Sequence, residues 1–393
     1  MVSLKLGETL VKRDGDRVYF IAEIGQNHQG SYDLAKQMIL EAKKIGCDCV
    51  KFQKSCLEAK FTESALNRPY ESLHSWGKTY GDHKKHLEFN IQQYQDLQNF
   101  CKEIGIDFTA SAMDEVSLQQ LDAIKVPFIK IGSGDANNFP LLEKAAKLAR
   151  PLVISTGMQT METIERIAAI MSNANKMNYA LLHCVSSYPT DAKDSQIKMI
   201  SILKNKFPQC VIGYSGHELG VEISKAAVLL GARIIERHFT LDKQQKGSDH
   251  KCSLEPSEMA KLIDDIKKLN TQIAAVISNE QRLSDDLIIN ILHETPSIKD
   301  ALDSFDSNAN EKRCILPCEM DCRIKLGKSI VAAQNLKAGH FIKPNDLCIK
   351  VSEPNGISAE FIDNVLGTEL SHDIQRDNPL TWDHIIKMES TKF

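Results

Sequence analysis

The sequence lacks the features that would place it in a membrane or on a nucleic acid. No apolar run approaches the roughly 20 residues that a membrane-spanning helix needs. The N-terminal stretch MVSLKLGETLVKRDGD has no apolar core of the kind found in secretory signals. Basic residues are not in excess, because the formal net charge is −4 and no long basic run occurs. We therefore expect a soluble globular protein with neither a nucleic-acid partner nor a membrane partner.

The sequence also predicts neither a disulfide framework nor a structural zinc site. Eleven cysteines without a secretory signal indicate reduced thiols and a cytoplasmic location. Cys314, Cys318 and Cys322 could suggest a metal site, but they lack the tighter pairing of structural zinc sites. We interpret them as scattered thiols. What the chain does have is 393 residues, 42% of them apolar, which suffices for a large core.

Eight strand-like runs alternate with helix-like segments in the first 280 residues. The runs are 18–25, 49–55, 106–112, 128–134, 151–157, 179–187, 210–216 and 233–240. The helix-like segments are 32–46 and those near 91–104, 115–124, 141–149, 160–173, 196–206, 219–231 and 257–277. This alternation predicts parallel βαβ units, and eight units fit a (β/α)₈ TIM barrel. A doubly wound sheet is the alternative, but no glycine-rich dinucleotide loop follows the first run.

The rhythm changes after residue 280. An acidic, Ser/Asn-rich stretch predicts a linker over 281–320, with a short helix near 285–292. Farther on, the apolar spacing of NLKAGHFIKPNDL (335–347) recurs in DIQRDNPLTWDHI (373–385). We therefore predict a barrel domain over 1–280 and a small, mainly β domain over 321–393 with an internal pseudo-repeat. A domain of this size has a modest core and is expected to lean on another surface.

Polar residues end nearly every predicted strand. Catalytic residues of TIM barrels lie at the C-terminal ends of the strands, where they share one mouth. The candidates are Glu23, Asn27, His28, Lys51, Gln53, Ser111, Lys130, Ser133, Ser155, Thr156, Ser186, Tyr188, Ser215, His217, Glu236 and His238. A single serine in such a place could be a helix N-cap, but the whole set predicts a functional site.

Two histidines follow neighbouring strands, His217 in GYSGHELG and His238 in RIIERHFT. If these strands are adjacent in a barrel, the two imidazoles can bind a divalent metal and leave positions open for a substrate. The alternative is one capping and one core histidine without a shared role. Glu236 points to the same strand face as His238 and could be a further ligand, an orienting partner or part of a structural ion pair.

Lys51 and Lys130 each lie inside an otherwise apolar strand. Strands of a closed parallel barrel are buried on both faces, so each lysine needs an anionic partner. Glu23, Asp135 or a bound substrate could be that partner. Two lysines exceed what one acid would neutralise, which favours a carboxylate or phosphate ligand. Two structural ion pairs remain the alternative. Further donors to such a ligand would be the turn residues Ser133, Ser155 and Ser215.

Two loop segments could also meet a substrate at the barrel mouth. The stretch HSWGKTYGDHKKHLEF (74–89) is basic and could contact a phosphate, although a solvated charge run is the usual explanation. Its basic residues are Lys78, His83, Lys84, Lys85 and His86. Asp249, in GSDHKCSLEP, could contact sugar hydroxyl groups or simply lie on the surface.

The motifs at these positions resemble those of the sialic acid synthase family in its animal form. They are IAEIGQNHQG, KFQKS, HSWGKTYG, KIGSGD, STGM, GYSGHE, ERHFT, GSDH and LGKSIVA, and the likeness covers nearly the whole chain. The resemblance implies a metal-dependent (β/α)₈ barrel followed by an antifreeze-like (SAF) domain. It also implies a transferase that condenses phosphoenolpyruvate with N-acetylmannosamine 6-phosphate, giving N-acetylneuraminate 9-phosphate and phosphate.

The resemblance further implies roles for individual residues. Catalysis would rest on Glu23 as the acid–base group and on His217 and His238, which would also hold Mn²⁺, Mg²⁺ or Co²⁺. Phosphoenolpyruvate would be bound by Lys51, Ser111, Lys130, Ser133, Ser155, Ser186 and Ser215. The sugar would be bound by Gln53, Asp135, Tyr188, Asp249 and Lys328.

Two of these positions depart from the bacterial pattern. Asp135 takes the place of a glutamate, and Lys328 takes the place of an arginine that reaches into the partner's barrel. A lysine carries the charge but lacks the planar guanidinium fork. The resemblance implies a homodimer with exchanged small domains, although the linker is longer than the family usually has.

Two other functions remain open at this stage. The same chemistry could act on free N-acetylmannosamine and give N-acetylneuraminate directly. Alternatively, the chain could be a non-catalytic sugar-binding or ice-binding protein. The presence of Glu23, Lys51, Lys130, His217 and His238 together argues against the non-catalytic hypothesis.

Overall fold

A closed barrel of parallel strands organises the computed structural model, which describes residues 2–276, 288, 296–303 and 313–386. The chain starts with an antiparallel hairpin, β1 (Ser3–Leu6) and β2 (Thr9–Lys12). The barrel strands are β3 (Tyr19–Gly25), β4 (Cys49–Lys54), β5 (Asp107–Ala112), β6 (Ile129–Ile131), β7 (Leu152–Ser155), β8 (Tyr179–Cys184), β9 (Val211–Gly216) and β10 (Ile234–His238). They pair in chain order, and β10 closes on β3.

The helices alternate with these strands, so the predicted (β/α)₈ barrel is confirmed. Up to residue 276 they are α1 (Tyr32–Lys44), α2 (Leu57–Lys60), α3 (Glu63–Asn67), α4 (Tyr80–Leu87), α5 (Ile91–Ile104), α6 (Glu115–Ala123), α7 (Phe139–Ala146), α8 (Met161–Asn173), α9 (Met199–Lys206), α10 (Glu222–Leu229) and α11 (Pro256–Val276). Each of the eight predicted strand runs contains one barrel strand. Among the described residues, no helix has both the length and the apolar character needed to cross a bilayer.

Helix α1 shows how local sequence sets these elements. The Ser31 side chain accepts a hydrogen bond from the Leu34 backbone N–H and caps the first turn. Ala35, Met38, Ile39 and Ala42 recur at spacings of three and four, so they bury one face against the barrel. The helix ends just before Gly46, whose φ of +92° suits a glycine after a helix C-terminus.

The sequence analysis did not predict the N-terminal hairpin. Its apolar side chains Leu4, Leu6 and Val11 are buried in a cluster with Tyr19 of β3 and Phe128, which directly precedes β6. The alternation of Leu4 and Leu6 with polar residues is the period of a half-buried strand and could have revealed it. The loop after β4 also differs from a plain loop, because it contains the three short helices α2, α3 and α4.

The small domain lies after residues 304–312, which are outside the described residues. Its elements, with the two helices before it, are α12 (Pro296–Asp303), α13 (Met320–Leu326), β11 (Ser329–Ala332), β12 (Leu347–Lys350) and α14 (Ile362–Val365). Single 3₁₀ turns lie at Ser133–Asp135, Ala192–Asp194, His250–Cys252, Pro317–Glu319, Pro344–Asp346, Ala359–Phe361 and Trp382–His384. The predicted helix near 285–292 and most of the predicted linker lie outside the described residues, so the domain boundaries stay a prediction.

The two halves of the predicted pseudo-repeat pair with each other, although their equivalence stays a prediction. Leu336 and Ile374, which the predicted repeat aligns, exchange two backbone hydrogen bonds of 2.9 Å. Ile342 and Leu380, the next aligned pair, are both buried. Strands β11 and β12 pair antiparallel beside them, so the domain is built on a short β framework.

The small domain leans on the barrel of its own chain, as a domain with a modest core requires. Lys328 forms an ion pair with Asp135 at the barrel mouth. Arg323 donates to Glu360 within the small domain at 2.6 Å and to the Met158 carbonyl of the barrel at 2.9 Å. These contacts place the start of the small domain over the C-terminal ends of the strands.

Arg313 anchors the segment that enters the small domain. It is buried and donates to the Gln159 carbonyl at 3.0 Å, the Cys184 carbonyl at 2.7 Å and the His183 Nδ1 atom at 3.1 Å. His183 in turn donates through Nε2 to the Ser195 carbonyl at 2.8 Å. Both ring nitrogens are therefore used by the neutral imidazole, one as acceptor and one as donor.

We predict that acid weakens the fold partly through His183. Burial and the neighbouring Arg313 guanidinium lower the pKa of His183 to about 3. In the unfolded chain this imidazole binds a proton below about pH 6.5, whereas in the native state it binds one only below about pH 3. The free energy of unfolding should therefore decrease as the pH is lowered from about 6.5 to about 3, by up to about 1.4 kcal/mol per pH unit for this group. Urea unfolding at several pH values measures the slope.

The variant His183→Gln keeps an acceptor for Arg313 and a donor for Ser195 without a titrating ring. We expect its unfolding free energy to depend less on pH below about 6.5 than that of the unmodified chain. His372→Gln, at an exposed position of the small domain, is the matched control. An equal slope in all three proteins would show that His183 does not contribute.

Candidate active site

A cavity of about 270 Å³ lies at the C-terminal mouth of the barrel. Each of the eight barrel strands, or the turn after it, contributes to its wall. The predicted site residues that line it are Glu23, Lys51, Gln53, Ser111, Lys130, Ser133, Asp135, Ser155, Ser186, Tyr188, Ser215, His217, His238, Asp249 and Lys328. The structure therefore brings together all residues that the sequence analysis assigned to catalysis, phosphoenolpyruvate or the sugar.

A buried charge network occupies the centre of the mouth. The Lys51 Nζ atom lies 2.6 Å from Glu23 Oε2 and 3.7 Å from Glu236 Oε1, and Lys130 Nζ lies 3.6 Å from the same Glu236 oxygen. All four side chains are almost fully buried. The expectation that the two lysines outnumber their acidic partners was therefore wrong, since two carboxylates face them. Asp135 is not one of these partners, because it pairs with Lys328.

The two carboxylates of this network have pKa values that are shifted in opposite directions. Burial favours the neutral form of Glu236, but the nearby Lys130 and Lys51 ammonium groups outweigh it and hold the pKa of Glu236 at about 2. Burial dominates at Glu23, and its pKa is raised although Lys51 opposes the shift. Burial also lowers the pKa of Lys130. Pairs of titrating groups whose pKa values are shifted in opposite directions are typical of acid–base catalysis. Glu23 is the group of this pair that can exchange a proton.

Hydroxyl groups surround the two lysines. Ser111 Oγ accepts from Lys51 at 3.0 Å, and Ser155 Oγ accepts from Lys130 at 2.7 Å. Ser215 donates to Glu236 at 3.0 Å. The Ser186 hydroxyl is buried and has no hydrogen-bond partner among the described residues. It is therefore available to a ligand in the cavity.

The two predicted metal-ligand histidines converge, as the adjacency of β9 and β10 requires. Their ring centroids are 5.4 Å apart, and the Tyr188 ring lies 4.1 Å from the His217 ring. His217 Nδ1 is 2.8 Å from the Val185 carbonyl oxygen and donates to it, so Nε2 is the nitrogen that could bind a metal. The His217 ring also interacts with the neighbouring Cys184 side chain. His238 Nδ1 is buried without a hydrogen-bond partner among the described residues, and Asp249 Oδ2 lies 3.8 Å from it.

This donor set suits a divalent cation with open coordination positions. Within the described part of the chain, no three His, Cys, Asp or Glu side chains form a cluster that could hold a metal alone. The protein would supply two imidazoles, and the remaining positions would go to water or substrate. Glu236 is held by Ser215 and the lysines, so of its three proposed roles the structure supports the ion pair.

An ion pair that the sequence analysis missed holds the two histidine segments together. Arg237, next to His238, donates at 2.8 Å to Glu218, which follows His217. Ser224 and Tyr214 complete the contacts of this pair at 2.9 Å and 2.8 Å. Arg237 and Glu218 are fully buried, so they fix the backbone on which the imidazoles sit. Their positions beside the two histidines are the only sequence signal.

Three of the polar strand-end candidates do not reach the cavity. Asn27 donates to the Phe239 carbonyl and to Ser253, both at 2.9 Å. The His28 ring stacks on Phe89 with centroids 4.2 Å apart. Thr156 donates to a backbone carbonyl of the neighbouring strand. These residues hold the loops around the mouth.

The basic stretch 74–89 contributes less than its charge suggested. Only Lys84 of its five basic residues lines the cavity. His83 is buried and stacks with Tyr70 and Trp76, while the others are exposed to solvent. Helix α4 turns these side chains to different sides, which the sequence analysis did not foresee.

Several further residues of the wall were also missed. They are Gln26, Lys60, Tyr80, Met113, Met158, Cys184, Ser248, Cys322, Lys325 and Leu326. Lys60 is buried, and burial together with the Lys84 and Lys328 charges lowers its pKa to about 7. Cys184 ends β8, and Gln26 and Met113 directly follow β3 and β5, so the strand-end rule could have found these three. The others come from α2, α4, α13 and loops, where that rule does not apply.

The fold has close counterparts among solved structures. The spore coat polysaccharide biosynthesis protein SpsE of Bacillus subtilis matches with a TM-score of 0.77 and 26% identity, over 99% of this chain and all of its own. An N-acetylneuraminic acid synthetase of Leptospira borgpetersenii, solved with citrate, matches with a TM-score of 0.61 and 31% identity, over 74% of this chain and 95% of its own.

Curated relatives are closer in sequence. N-acetylneuraminate-9-phosphate synthase of Drosophila melanogaster is 58% identical over 94% of this chain and 96% of its own length. The human protein of the same name is 45% identical over 92% of this chain and 91% of its own. The sequence model of the NeuB family matches residues 38–278, and that of the SAF domain matches residues 327–386. The resemblance noted from the motifs is thereby confirmed, and the chain belongs to the NeuB family, with an SAF domain after its barrel.

Proposed function

We propose that this protein condenses phosphoenolpyruvate with N-acetylmannosamine 6-phosphate, releasing phosphate and giving N-acetylneuraminate 9-phosphate. The observation that carries the proposal is the single cavity that gathers the lysine–glutamate network, the histidine pair and a hydroxyl-rich wall. The names of the close relatives, N-acetylneuraminate-9-phosphate synthases, support the same reaction. No feature of the described residues favours a non-catalytic role.

Phosphoenolpyruvate would bind against the charge network. Lys51 and Lys130 provide ammonium groups, and the Ser186 hydroxyl lacks a protein partner. An incoming anion would share the lysines with Glu23 and Glu236, which keeps the buried ammonium groups charged. Fixed charges of this kind stabilise the charge that develops on the reacting groups.

The reaction forms one carbon–carbon bond and, from water, one carbon–oxygen bond at C2, and it breaks the carbon–oxygen bond to phosphate. C3 of phosphoenolpyruvate attacks the aldehyde carbon of the open-chain sugar, and the aldehyde oxygen takes up a proton. Water adds at C2, its proton is removed, and the C–O bond to phosphate breaks to leave a 2-keto acid. Glu23, with its raised pKa and its contact with Lys51, is the residue placed to carry these protons.

We also propose a divalent metal, Mn²⁺, Mg²⁺ or Co²⁺, held by His217 and His238. His217 uses Nδ1 for the Val185 carbonyl and leaves Nε2 for a metal, and the buried Nδ1 atom of His238 has no hydrogen-bond partner among the described residues, so both fit this role. A metal bound there would act as a Lewis acid toward the sugar aldehyde. We place the protein in the cytoplasm, because all eleven of its cysteines are free thiols.

The active unit is proposed to be a homodimer with exchanged small domains. The proposal rests on the resemblance to the family and on the small size of the domain. In the described single chain, Lys328 pairs with Asp135 of the same barrel. The same pair can form between two subunits, so only an experiment on mixed chains separates the two arrangements.

The sugar preference tests the central proposal. With phosphoenolpyruvate and a divalent metal, we expect phosphate release with N-acetylmannosamine 6-phosphate and a kcat/KM at least about tenfold lower with free N-acetylmannosamine, since the free sugar lacks a charged group to bind. A coupled phosphate assay measures both. Equal rates, or a preference for the free sugar, would contradict the proposal.

Removal of the metal tests the histidine pair. We expect dialysis against a chelator to abolish activity and added Mn²⁺, Mg²⁺ or Co²⁺ to restore it. His238→Ala should lose about two or more orders of magnitude in kcat, and none of the three metals should rescue it. His372→Ala serves as the control at an exposed histidine. Full activity after chelation, with no metal detected in the protein, would refute the metal requirement.

Mixed chains test the exchange of small domains. His238→Ala and Lys328→Ala are each expected to be nearly inactive alone. If the small domain caps the partner's barrel, co-expressed chains form mixed dimers with one intact site, and activity returns to about a quarter of the normal value. If the small domain caps its own barrel, no site is intact and the mixture stays inactive. Light scattering on the same samples reports the number of chains.

A further inference from the structure

Three lysines lie in the cavity wall outside the central charge network. Lys60 ends helix α2, Lys84 lies in α4, and Lys325 is near the end of α13, just before the small domain. The loop after β4 and the segment after the linker thus deliver positive charge to the same cavity. The reaction chemistry derived above assigns no role to any of the three.

In the part of the chain that the structure describes, none of these lysines has a carboxylate partner. Among the described residues, no Asp or Glu oxygen lies within 4.0 Å of their Nζ atoms. The Lys60 ammonium contacts Ser55 Oγ at 3.5 Å and Met113 Sδ at 2.9 Å. That of Lys84 donates to the Gln26 side-chain oxygen at 2.9 Å. The Lys325 Nζ atom lies 6.0 Å from the centre of the Tyr70 ring.

The neighbouring buried lysines are neutralised, which sets this cluster apart. Lys54 lies 2.6 Å from Glu88, and Lys328 pairs with Asp135. The central network has two lysines against two glutamates. Lys60 is buried, whereas Lys84 and Lys325 are half-buried. An unpaired buried cation is costly, and a positive charge nearby adds to that cost. The low pKa of Lys60 expresses this strain, and a bound anion would relieve it.

The cluster lies on the sugar side of the cavity. Lys60 contacts Met113, whose carbonyl accepts a hydrogen bond from Lys328, and Lys325 is three residues before Lys328. Lys328 and its partner Asp135 are among the residues that the family resemblance assigns to the sugar. Lys51 and Lys130, by contrast, act on Glu236. The cavity therefore has two separate positive regions, and the proposed reaction has two anionic substrates.

We infer that Lys60, Lys84 and Lys325 bind the phosphate group of the sugar substrate and set the preference for a phosphorylated sugar. This inference rests on the proposed function. A phosphate dianion offers oxygens to all three ammonium groups at once, and such charge-assisted hydrogen bonds are the strong ones. Because Lys325 lies in the segment that leads into the small domain, the subsite is complete only when that segment is docked.

Single methionine variants of the full-length protein test the subsite. Lys60→Met, Lys84→Met and Lys325→Met remove one charge each and keep an apolar stem in place. We expect each to raise the KM for N-acetylmannosamine 6-phosphate about tenfold to hundredfold, with the KM for phosphoenolpyruvate within about twofold of normal. Lys85→Met, at the exposed next position of the same helix, should behave as the unmodified protein.

Direct binding separates a failure of this inference from a failure of the proposed reaction. Inorganic phosphate is titrated into the protein in the presence of saturating phosphoenolpyruvate, so that only the second anion site reports. We expect binding by the unmodified protein and by Lys85→Met, and about tenfold weaker binding by Lys60→Met and Lys84→Met. Lys84→Arg, which keeps the charge, should recover most of it.

The results of the two experiments distinguish a failure of this inference from a failure of the proposed reaction. If the three variants match Lys85→Met in both measurements, or if they raise the KM for phosphoenolpyruvate instead, the inference is wrong while the proposed function stands. If the unmodified protein releases no phosphate with either sugar yet phosphate binding depends on these lysines, the proposed reaction is wrong and the anion site remains. Unchanged thermal unfolding midpoints ensure that the variants are folded.

Discussion

The structure depends on placing two lysines and two glutamates together in a barrel mouth that water barely reaches. None of these charges is stable there alone, because the loss of hydration exceeds what one neighbour returns. Lys51, Lys130, Glu23 and Glu236 therefore stabilise one another, and Ser111, Ser155 and Ser215 add hydrogen bonds to the two lysines and to Glu236. The strands that carry them are apolar on their other positions, so the network is fixed in place by the core on which it stands.

The same network explains why Glu23 and Glu236 differ although they lie side by side. Glu236 faces both ammonium groups and stays ionised, whereas Glu23 has one close lysine and is dominated by burial. An anionic substrate that draws the lysines toward itself would raise the proton affinity of Glu23 further. Substrate binding and proton uptake at Glu23 are thus coupled through Lys51, which contacts both carboxylates.

The barrel and the centre of the site could be predicted from sequence because both obey local rules. Alternating apolar runs and helical periods gave the eight units, and the strand ends gave His217, His238 and the lysines. The N-terminal hairpin that contains Leu4 and the cavity residue Lys60 were not predicted. A short hairpin carries little periodic signal, and Lys60 reaches the cavity only because the long loop after β4 folds back over the mouth. The charge balance around Lys51 was misjudged because Glu236 was weighed only as a companion of His238.

The segment from Arg313 to Lys328 connects the small domain to the active site, because its side chains contact the residues that form the cavity wall. Glu319 accepts backbone hydrogen bonds from Met158 at 2.8 Å and Ser186 at 3.0 Å, so it orders two turns of the cavity wall. Arg313 holds the carbonyl of Cys184 from the same side, and Lys328 neutralises Asp135 in the wall itself. With that segment undocked, these turns lose their partners and Asp135 is left as a buried, unpaired acid. The site is therefore assembled from both domains, and its integrity depends on their docking.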